Sequence, residues 1–239
     1  MKIALIETGF VPDELKTNHG SYSKMFFELL KNLFPEAKIK IYKLYENRKL
    51  PEIFSFDLFV ITGSKFGVYD NLSWINPLKK FILKIEKKKV PLFGVCFGHQ
   101  IMAEAFGGKV EKFSNGWTLG IENYEIIEKT KWTRDFKKFN GFAIHQDQII
   151  DQPPNSTVIA KSKNCSFSIL SYGKKNKPFA ISIQSHPEFS KKYFVDLINL
   201  RKGKVIPSEK VLKALETINQ KTHDYQITEI LLNAIIKKN

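Results

Sequence analysis

Two short apolar runs near the start of the chain predict buried strands. Residues 2–6, K-I-A-L-I, end shortly before Gly9, and residues 57–63, D-L-F-V-I-T-G, end in a glycine. Continuous apolar runs of this length, bounded by turn residues, are typical of parallel sheets that are covered on both faces. We therefore expect both runs to be strands of a parallel sheet.

Helical and extended patterns alternate around these two runs. Apolar residues recur at helical spacing from residue 21, whereas residues 38–45, K-I-K-I-Y-K-L-Y, alternate as a strand does. A further helix is predicted from Asn76 to Lys89, with Pro77 suited to its first turn. This alternation predicts an α/β fold with a doubly wound, mainly parallel central sheet and helices on both faces.

The rest of the chain divides into a strand-rich part and a helical end. From residue 91, P-L-F-G-V-C-F-G-H-Q-I-M-A-E-A-F-G-G predicts a strand, a sharp turn at Cys96 and a helix. Short apolar runs and frequent turn signals between Lys109 and Ser185 predict additional strands, the last of which ends directly before His186. Three helical patterns follow, over residues 193–200, 208–218 and 225–236.

Composition places the chain among globular proteins. Its 239 residues, 43% hydrophobic and 26% charged, fit one α/β domain with a C-terminal extension. No segment approaches the roughly 20 apolar residues that span a bilayer, and Glu7 interrupts the start before a signal-peptide core develops. Cys96 and Cys165 are too few for a disulfide framework. We therefore expect a cytoplasmic protein with free thiols and no membrane partner.

The formal charge of +14 raises the question of a polyanionic partner. The lysines are scattered, however, with short runs such as those at 79–80, 87–89, 174–175 and 237–238, and there is no arginine-rich arm or zinc-finger spacing. This distribution favours a solvated lysine surface over specific nucleic-acid binding. A non-catalytic module that binds polyanions is the alternative.

The turn at Cys96 has the features of a nucleophile elbow. A cysteine attacks a carbonyl carbon as its thiolate, and a position between a strand and a helix offers a positive dipole end and free backbone N–H groups. Gly94 and Gly98 flank the cysteine, so the backbone can turn sharply and a substrate can approach. The Phe97 amide could then donate to an oxyanion. The competing interpretation is that Cys96 is a small buried hydrophobic residue.

A second group of polar residues follows the last predicted strand. In Q-S-H-P-E-F, residues 184–189, His186 and Glu188 are two positions apart, so both side chains can point to one side. An imidazole can take the thiol proton and later deliver it to a leaving amine, while a carboxylate orients that imidazole. Cys96, His186 and Glu188 would thus supply a nucleophile, a base and an orienting group.

The two motifs and their order resemble the class I glutamine amidotransferase family. The family's elbow reads G-x-C-x-G-x-Q and its later motif reads H-P-E, as in G-V-C-F-G-H-Q and H-P-E here. The segment from residue 62, T-G-S-K-F-G-V-Y-D-N-L-S-W-I, is similar to the oxyanion-strand segment of stand-alone members that resemble the amidotransferase domain of GMP synthase. The resemblance implies a flavodoxin-like domain over residues 1–200, with residues 201–239 as its C-terminal helical extension.

The resemblance also implies roles for residues around the elbow. Gly63 would supply a second oxyanion N–H beside Phe97, although a simple turn at the strand end would also explain this glycine. Gln100 would contact the γ-glutamyl group from the first turn of the elbow helix. No cofactor is implied.

Residues 142–149, F-A-I-H-Q-D-Q-I, align with the family strand whose backbone holds the α-amino and α-carboxylate groups of the glutamyl moiety. Ile144, His145 and Gln146 are therefore binding candidates. Many relatives have glycine at the position of Gln146, and His145 with Asp147 would equally form a structural hydrogen-bonded pair.

Two other polar features carry no predicted chemistry. His99 lies beside Gln100, but no His-x-x-His or Cys-x-x-Cys spacing links it to another ligand, so no metal site is expected. Cys165 has no elbow or flanking glycines, which favours a packing role.

The predicted activity is cysteine-dependent hydrolysis of a γ-glutamyl amide through a thioester. The leaving amine separates two hypotheses. Ammonia from glutamine would imply a glutaminase subunit that serves a synthase partner, whereas an amine or amino acid would imply a free-standing γ-glutamyl hydrolase or peptidase. The chain shows no nucleotide-binding P-loop and ends in extra helices, which favours the free-standing enzyme.

Overall fold

The computed structural model describes residues 1–133 and 136–236. Its strands are β1 (Lys2–Glu7), β2 (Lys38–Lys43), β3 (Leu58–Ile61), β4 (Leu92–Val95), β5 (Lys109–Lys112), β6 (Thr118–Ile126), β7 (Lys138–His145), β8 (Asp147–Asp151), β9 (Ser156–Ser162), β10 (Ile169–Lys174) and β11 (Lys177–Ile183). Its helices are α1 (Asp13–His19), α2 (Tyr22–Leu33), α3 (Leu44–Asn47), α4 (Ile75–Lys88), α5 (Phe97–Ala105), α6 (Lys191–Arg201), α7 (Ser208–Thr217) and α8 (Asp224–Ile236).

The main sheet has nine strands in the order β2-β1-β3-β4-β11-β10-β9-β6-β7. The first five strands of this order are parallel, and they include both of the buried strands predicted near residues 2–6 and 57–63. The last four pair antiparallel, and β5 forms a separate antiparallel pair with β8. The predicted fold class and the strand-rich segment between Lys109 and Ser185 are confirmed.

Successive residues of the central strands pack against helices on opposite faces of the sheet, as the period of a strand requires. Ala4 and Ile6 of β1 belong to a core with α4 and α5. Ile3 and Leu5 of the same strand belong to a second core with α2 and α8. The sheet is therefore doubly wound, and its carboxyl edge presents the ends of β3, β4 and β11 side by side.

The strand predicted over residues 38–45 is too long. β2 ends at Lys43, and the one-turn helix α3 begins at Leu44. Leu44 and Tyr45 both pack into the core that contains α4 and α5, which two consecutive strand residues cannot do because they point to opposite faces. The sequence pattern does not predict the short helix α1.

The predicted helices are present, with ends shifted by one or two residues. α4 begins at Ile75, with Pro77 in its first turn as expected, and ends where Lys89 adopts a left-handed conformation. α6 begins at Lys191 because the Ser190 side chain caps it, accepting the Tyr193 N–H at 3.1 Å.

The C-terminal helices pack on the sheet. α7 lies against β6, and α8 lies against β7 and β11. Ile227, Leu231, Leu232 and Ile235 of α8 are buried in the same core as β1, β3 and β4. Residues 237–239 of the predicted extension lie outside the described residues. No helix in the described part of the chain is long and apolar enough to cross a membrane.

We expect α8 to be part of the cooperative folding unit. Leu231→Ala, at a fully buried position, should lower the free energy of unfolding by about 2–5 kcal/mol, measured by urea denaturation. The matched change Leu212→Ala, at a position of α7 that is 52% exposed, should cost about 0.5 kcal/mol or less. Equal effects of the two changes would show that α8 folds separately from the core.

Candidate active site

The turn between β4 and α5 holds Cys96 in a strained backbone conformation. Cys96 has φ 51° and ψ −103°, a region that L-residues rarely adopt. Hydrogen bonds on both sides fix the turn, because the Cys96 N–H donates to the Ile183 carbonyl at 2.9 Å and the Gly98 N–H donates to the Thr62 carbonyl at 3.2 Å. The predicted strand-turn-helix is present, with the thiol at its apex.

The two glycines of the elbow are required by close packing. Neither has a positive φ. A Cβ on Gly94 would lie 2.5 Å from the Met102 sulfur and 2.6 Å from the Gly98 carbonyl, and a Cβ on Gly98 would collide with the Ile61 carbonyl of β3. The glycines therefore let α5 approach β3 and β4, while Cys96 itself adopts the unfavourable conformation.

His186 and Glu188 form a buried hydrogen-bonded pair beyond the end of β11. His186 Nδ1 and Glu188 Oε1 are 2.8 Å apart. The His186 backbone N–H donates to the Phe142 carbonyl at 2.9 Å, and the imidazole stacks on the Phe189 ring with 4.1 Å between ring centroids. These contacts fix the direction of the imidazole. Glu188 thus has the position expected of an orienting carboxylate.

The structure brings Cys96 and His186 together at Gly63. A Cβ on Gly63 would lie 2.9 Å from His186 Cε1 and 3.5 Å from Cys96 Cβ. Burial lowers the pKa of the His186 imidazole, but the Cys96 thiolate and the Glu188 carboxylate raise it more strongly, so the net direction is upward. The arrangement favours the imidazolium form of His186 beside the Cys96 sulfur.

Two backbone N–H groups flank the thiol without backbone acceptors. They belong to Gly63, after the end of β3, and to Phe97, at the start of α5. Neither donates to a backbone carbonyl in the described part of the chain. Donors of this kind at a helix start can stabilise negative charge that develops on a nearby carbonyl oxygen.

Cys96 opens into a pocket of about 520 Å³. All four predicted substrate-binding residues, Gln100, Ile144, His145 and Gln146, line this pocket. His186, Glu188, Gly63 and Phe97 are not among its lining residues. The other lining residues are Pro12, Ser64, Lys65, Phe66, Gly67, Tyr69, Asp70, Lys112, Trp117, Asp147, Arg201 and Val205.

The predicted binding residues differ in whether their polar side-chain atoms already have hydrogen-bond partners. The Gln100 side-chain amide donates to the Asp147 carbonyl at 2.9 Å and to Gln184 Oε1 at 3.2 Å. His145 is buried and, in the described structure, neither of its ring nitrogens has a hydrogen-bond partner. Burial, with the neighbouring His186 charge, lowers the pKa of His145 to about 3, so its ring is neutral.

The alternative structural pair of His145 and Asp147 is not formed by their side chains. The Asp147 carboxylate accepts the Tyr69 hydroxyl at 3.0 Å instead. Burial raises the pKa of the Asp147 carboxyl, and the Tyr69 hydroxyl opposes this effect. The His145 ring does interact with the Asp147 backbone, which opposes the effect of burial on its pKa, so a structural link between the two residues stands beside the binding role.

His99 and Cys165 have structural surroundings. His99 is buried between the Ser182 hydroxyl, 2.7 Å from Nδ1, and the Phe167 carbonyl, 2.8 Å from Nε2, and burial lowers its pKa to about 3. Burial raises the pKa of the Cys165 thiol to about 11, which makes it a poor nucleophile. Within the described residues, no group of three or more His, Cys, Asp or Glu side chains could hold a metal ion.

Part of the pocket wall lies outside the predictions from the sequence. Trp117 stands in G-W-T-L-G, which indicates only a turn, and Arg201 is the last residue of α6. Lys65 and Tyr69 fall in the segment that resembles the family's oxyanion strand, but the resemblance implies no role for them. The resemblance of that segment to the family is the one feature of the sequence that points to this part of the pocket wall.

Comparison with known proteins agrees with this geometry. The family model for glutamine amidotransferase class-I matches residues 15–198, most of the chain and both polar motifs. The chain belongs to this family. The class I glutamine amidotransferase fold and a hydrolase of this type are therefore established for it.

Relatives include proteins named gamma-glutamyl peptidase and components of GMP synthases. Gamma-glutamyl peptidase 2 of Arabidopsis thaliana is 28% identical over 187 residues, which cover 76% of this chain and 74% of the relative. One component of a glutamine-hydrolyzing GMP synthase from Saccharolobus solfataricus is 24% identical over 189 residues, 79% of this chain and 89% of the relative. A solved glutamine amidotransferase from Thermotoga maritima has the same fold, with a TM-score of 0.75, 20% identity and coverage of 100% of this chain and 99% of the other.

We expect iodoacetamide to modify Cys96 and to leave Cys165 unmodified in the folded protein. Cys96 faces the pocket beside an imidazolium, whereas Cys165 is enclosed and protonated at neutral pH. Peptide mass spectrometry at pH 7 provides the measurement, and the denatured protein, in which both thiols should react, is the control. Equal modification of the two thiols in the folded state would contradict the site geometry.

Proposed function

We propose that this protein is a free-standing enzyme that hydrolyses a γ-glutamyl amide through a γ-glutamyl thioester on Cys96. The observation that carries the proposal is the buried arrangement of a strained thiol, an imidazole and a carboxylate at the mouth of a pocket. The family relationship and the relatives named gamma-glutamyl peptidase support the same chemistry. We place the reaction in the cytoplasm, where the two free thiols would stay reduced.

In this proposal Cys96, His186 and Glu188 are the catalytic residues. The thiolate attacks the γ-carbonyl carbon, and the Gly63 and Phe97 N–H groups stabilise the negative charge on the oxygen. The His186 imidazolium gives its proton to the leaving nitrogen as the carbon–nitrogen bond breaks, which leaves the thioester. Neutral His186 then takes a proton from water, hydroxide attacks the thioester, and glutamate leaves while Cys96 is restored.

The glutamyl part of the substrate would lie between α5 and the end of β7. Both amide protons of Gln100 are committed to Asp147 and Gln184, so its oxygen is left to accept from the substrate α-amino group. One neutral His145 nitrogen can donate to the α-carboxylate, and the backbone of Ile144 and Gln146 can complete this contact. The Gln146 side chain replaces the glycine of many relatives, so it would narrow the pocket.

The size and charge of the pocket favour a substituted leaving amine. Its volume of about 520 Å³ lies in the range of about 300–1,000 Å³ that is typical of pockets for drug-sized ligands. A pocket of this volume is larger than glutamine alone requires. Arg201 lines it, and its side chain makes no hydrogen bond or ion pair within the described residues. A free guanidinium in the pocket that Trp117 also lines would bind a substituent with an apolar part and a carboxylate, as in a γ-glutamyl dipeptide.

The isolated protein should release glutamate from a γ-glutamyl dipeptide faster than from glutamine, without ATP or a partner protein. Steady-state product analysis by mass spectrometry provides the measurement. The folded Cys96→Ala variant is the blank and should lose turnover by at least about a thousandfold. Release only after a synthase is added would support the alternative, an ammonia-donating glutaminase subunit related to the GMP synthase components.

Arg201 should determine the preference for a carboxylate in the leaving group. Arg201→Gln should raise KM for a γ-glutamyl dipeptide by roughly tenfold or more, the value of one charge-assisted hydrogen bond. KM for a γ-glutamyl alkylamide should not change, because that substrate has no second carboxylate. The matched variant Arg48→Gln, at an exposed position, should leave both values unchanged. A similar rise for both substrates in Arg201→Gln would exclude this role.

A further inference from the structure

Two buried threonines lie at the ends of adjacent strands, next to Gly63. Thr8 follows β1 and Thr62 follows β3, and both residues are 0% exposed. The Thr8 backbone N–H donates to the Thr62 hydroxyl at 3.0 Å, and the Thr62 backbone N–H donates to the Ile6 carbonyl at 3.1 Å. Hydrogen bonds between the two chain segments therefore continue past the strand ends, up to the residue that precedes Gly63.

The hydroxyl groups of these threonines hold the carbonyl groups on both sides of the Gly63 N–H. Thr8 Oγ1 is 3.0 Å from the Thr62 carbonyl oxygen, and Thr62 Oγ1 is 3.0 Å from the Gly63 carbonyl oxygen. Each hydroxyl has a single proton to donate. The contacts of Thr8 Oγ1 with Thr62 Oγ1, at 3.2 Å, and with the Gly63 carbonyl, at 3.3 Å, are longer. The shortest contacts therefore assign the Thr8 proton to the Thr62 carbonyl.

The Thr62 carbonyl has a second donor, the backbone N–H of Gly98 in α5, at 3.2 Å. A carbonyl oxygen has two lone pairs, so both are used. The peptide between Thr62 and Gly63 is trans, and the N–H of a planar trans peptide points away from its C=O. Two donors that fix this carbonyl therefore also fix the direction of the Gly63 N–H.

Close packing restricts the same peptide. A Cβ on Gly9 would lie 2.8 Å from Ser64 Cα and 3.2 Å from the Gly63 carbonyl oxygen. The Ser64 hydroxyl donates to the Thr8 carbonyl at 2.8 Å. The segment after β1 therefore packs directly on residues 63–64, and hydrogen bonds run between them in both directions.

We infer that Thr8 is a positioning residue for the oxyanion site: its hydroxyl holds the Thr62 carbonyl, so that the Gly63 N–H keeps the direction that this site requires. A glycine has the most conformational freedom of all residues, so contacts from outside the segment have to supply this order. Donors that are already oriented stabilise a transition state more strongly than donors that have to turn as the charge develops.

The hydrogen bond from Gly98 joins the two proposed oxyanion donors. Gly98 directly follows Phe97, whose N–H is the other donor, so one carbonyl links the elbow to the peptide of Gly63. The inference rests on the proposed function. It adds Thr8, which lies outside the pocket lining and outside the residues 15–198 that the family model matches.

The test is Thr8→Val, which replaces the hydroxyl by a methyl group. The kcat for a γ-glutamyl dipeptide should fall roughly five- to fiftyfold, less than the roughly 10²–10³-fold loss that follows removal of an oxyanion donor. KM should change by less than about twofold, because the contacts of Gln100 and His145 with the glutamyl group are untouched. Thr8→Ser keeps the hydroxyl and should retain kcat to within about threefold.

Thr228→Val is the matched control. Thr228 of α8 is also 0% exposed, and its hydroxyl donates to a backbone carbonyl, that of Asp224, at 2.6 Å. This variant should lower the urea midpoint as Thr8→Val does, and it should leave kcat unchanged. The rate of Cys96 alkylation by iodoacetamide, a reaction that forms no oxyanion, should be the same in all of these variants.

Hydrogen exchange of the Gly98 amide, followed by NMR, provides a measurement that needs no substrate. Exchange should be at least about tenfold faster in Thr8→Val than in Thr228→Val, because the Thr62 carbonyl has lost its second donor. This result in a protein that hydrolyses no γ-glutamyl substrate would reject the proposed function and still support the role of Thr8 in holding the peptide.

Two results would overturn the inference. The first is unchanged Gly98 exchange in Thr8→Val, and the second is a kcat in Thr8→Val that equals that of Thr228→Val. An equal loss of kcat in Thr8→Ser and Thr8→Val would also contradict a role of the hydroxyl. Thr8→Ala removes the same hydroxyl and takes the place of Thr8→Val if the valine variant does not fold.

Discussion

The close approach of α5 to the central sheet is the constraint on which the site depends. Gly98 of α5 lies against the Ile61 carbonyl of β3, and Gly94 of β4 lies against Gly98, so no side chain separates the helix from the strands. The connection between β4 and α5 is thereby forced into a sharp turn, and Cys96 adopts a conformation that L-residues avoid. The energy of packing in the surrounding core compensates for this local strain.

The arrangement of the central strands also sets the positions of the groups around the Cys96 thiol. Because β3 and β11 flank β4 in the parallel sheet, their carboxyl ends deliver Gly63 and His186 to the two sides of the thiol. The dipole of α5 favours negative charge at this point, and the charges of Cys96 and Glu188 raise the pKa of the His186 imidazole beside it. The antiparallel strands contribute the far wall of the pocket through Ile144 and His145.

The sequence predicts a site residue when that residue stands in a local motif, and it does not when the residue is placed by tertiary packing. Cys96, His186 and Glu188 stand in short motifs at strand ends, so local pattern and family resemblance are enough to find them. Trp117 and Arg201 reach the same pocket only through tertiary packing of segments far apart in the chain, and no local pattern distinguishes them from surface residues. The alternation in residues 38–45 is likewise misleading, because the packing of both Leu44 and the partly buried Tyr45 against one core is decided by tertiary contacts.

The thioester on Cys96 is the central claim of this account, and trapping it is the most direct test. The protein is mixed with a γ-glutamyl dipeptide, quenched in acid within the first turnover, digested and examined by mass spectrometry. We expect a γ-glutamyl adduct on the peptide that contains Cys96, formed before glutamate accumulates and absent from Cys96→Ala. Steady glutamate release with no such adduct, at a rate that Cys96→Ala retains, would contradict the account.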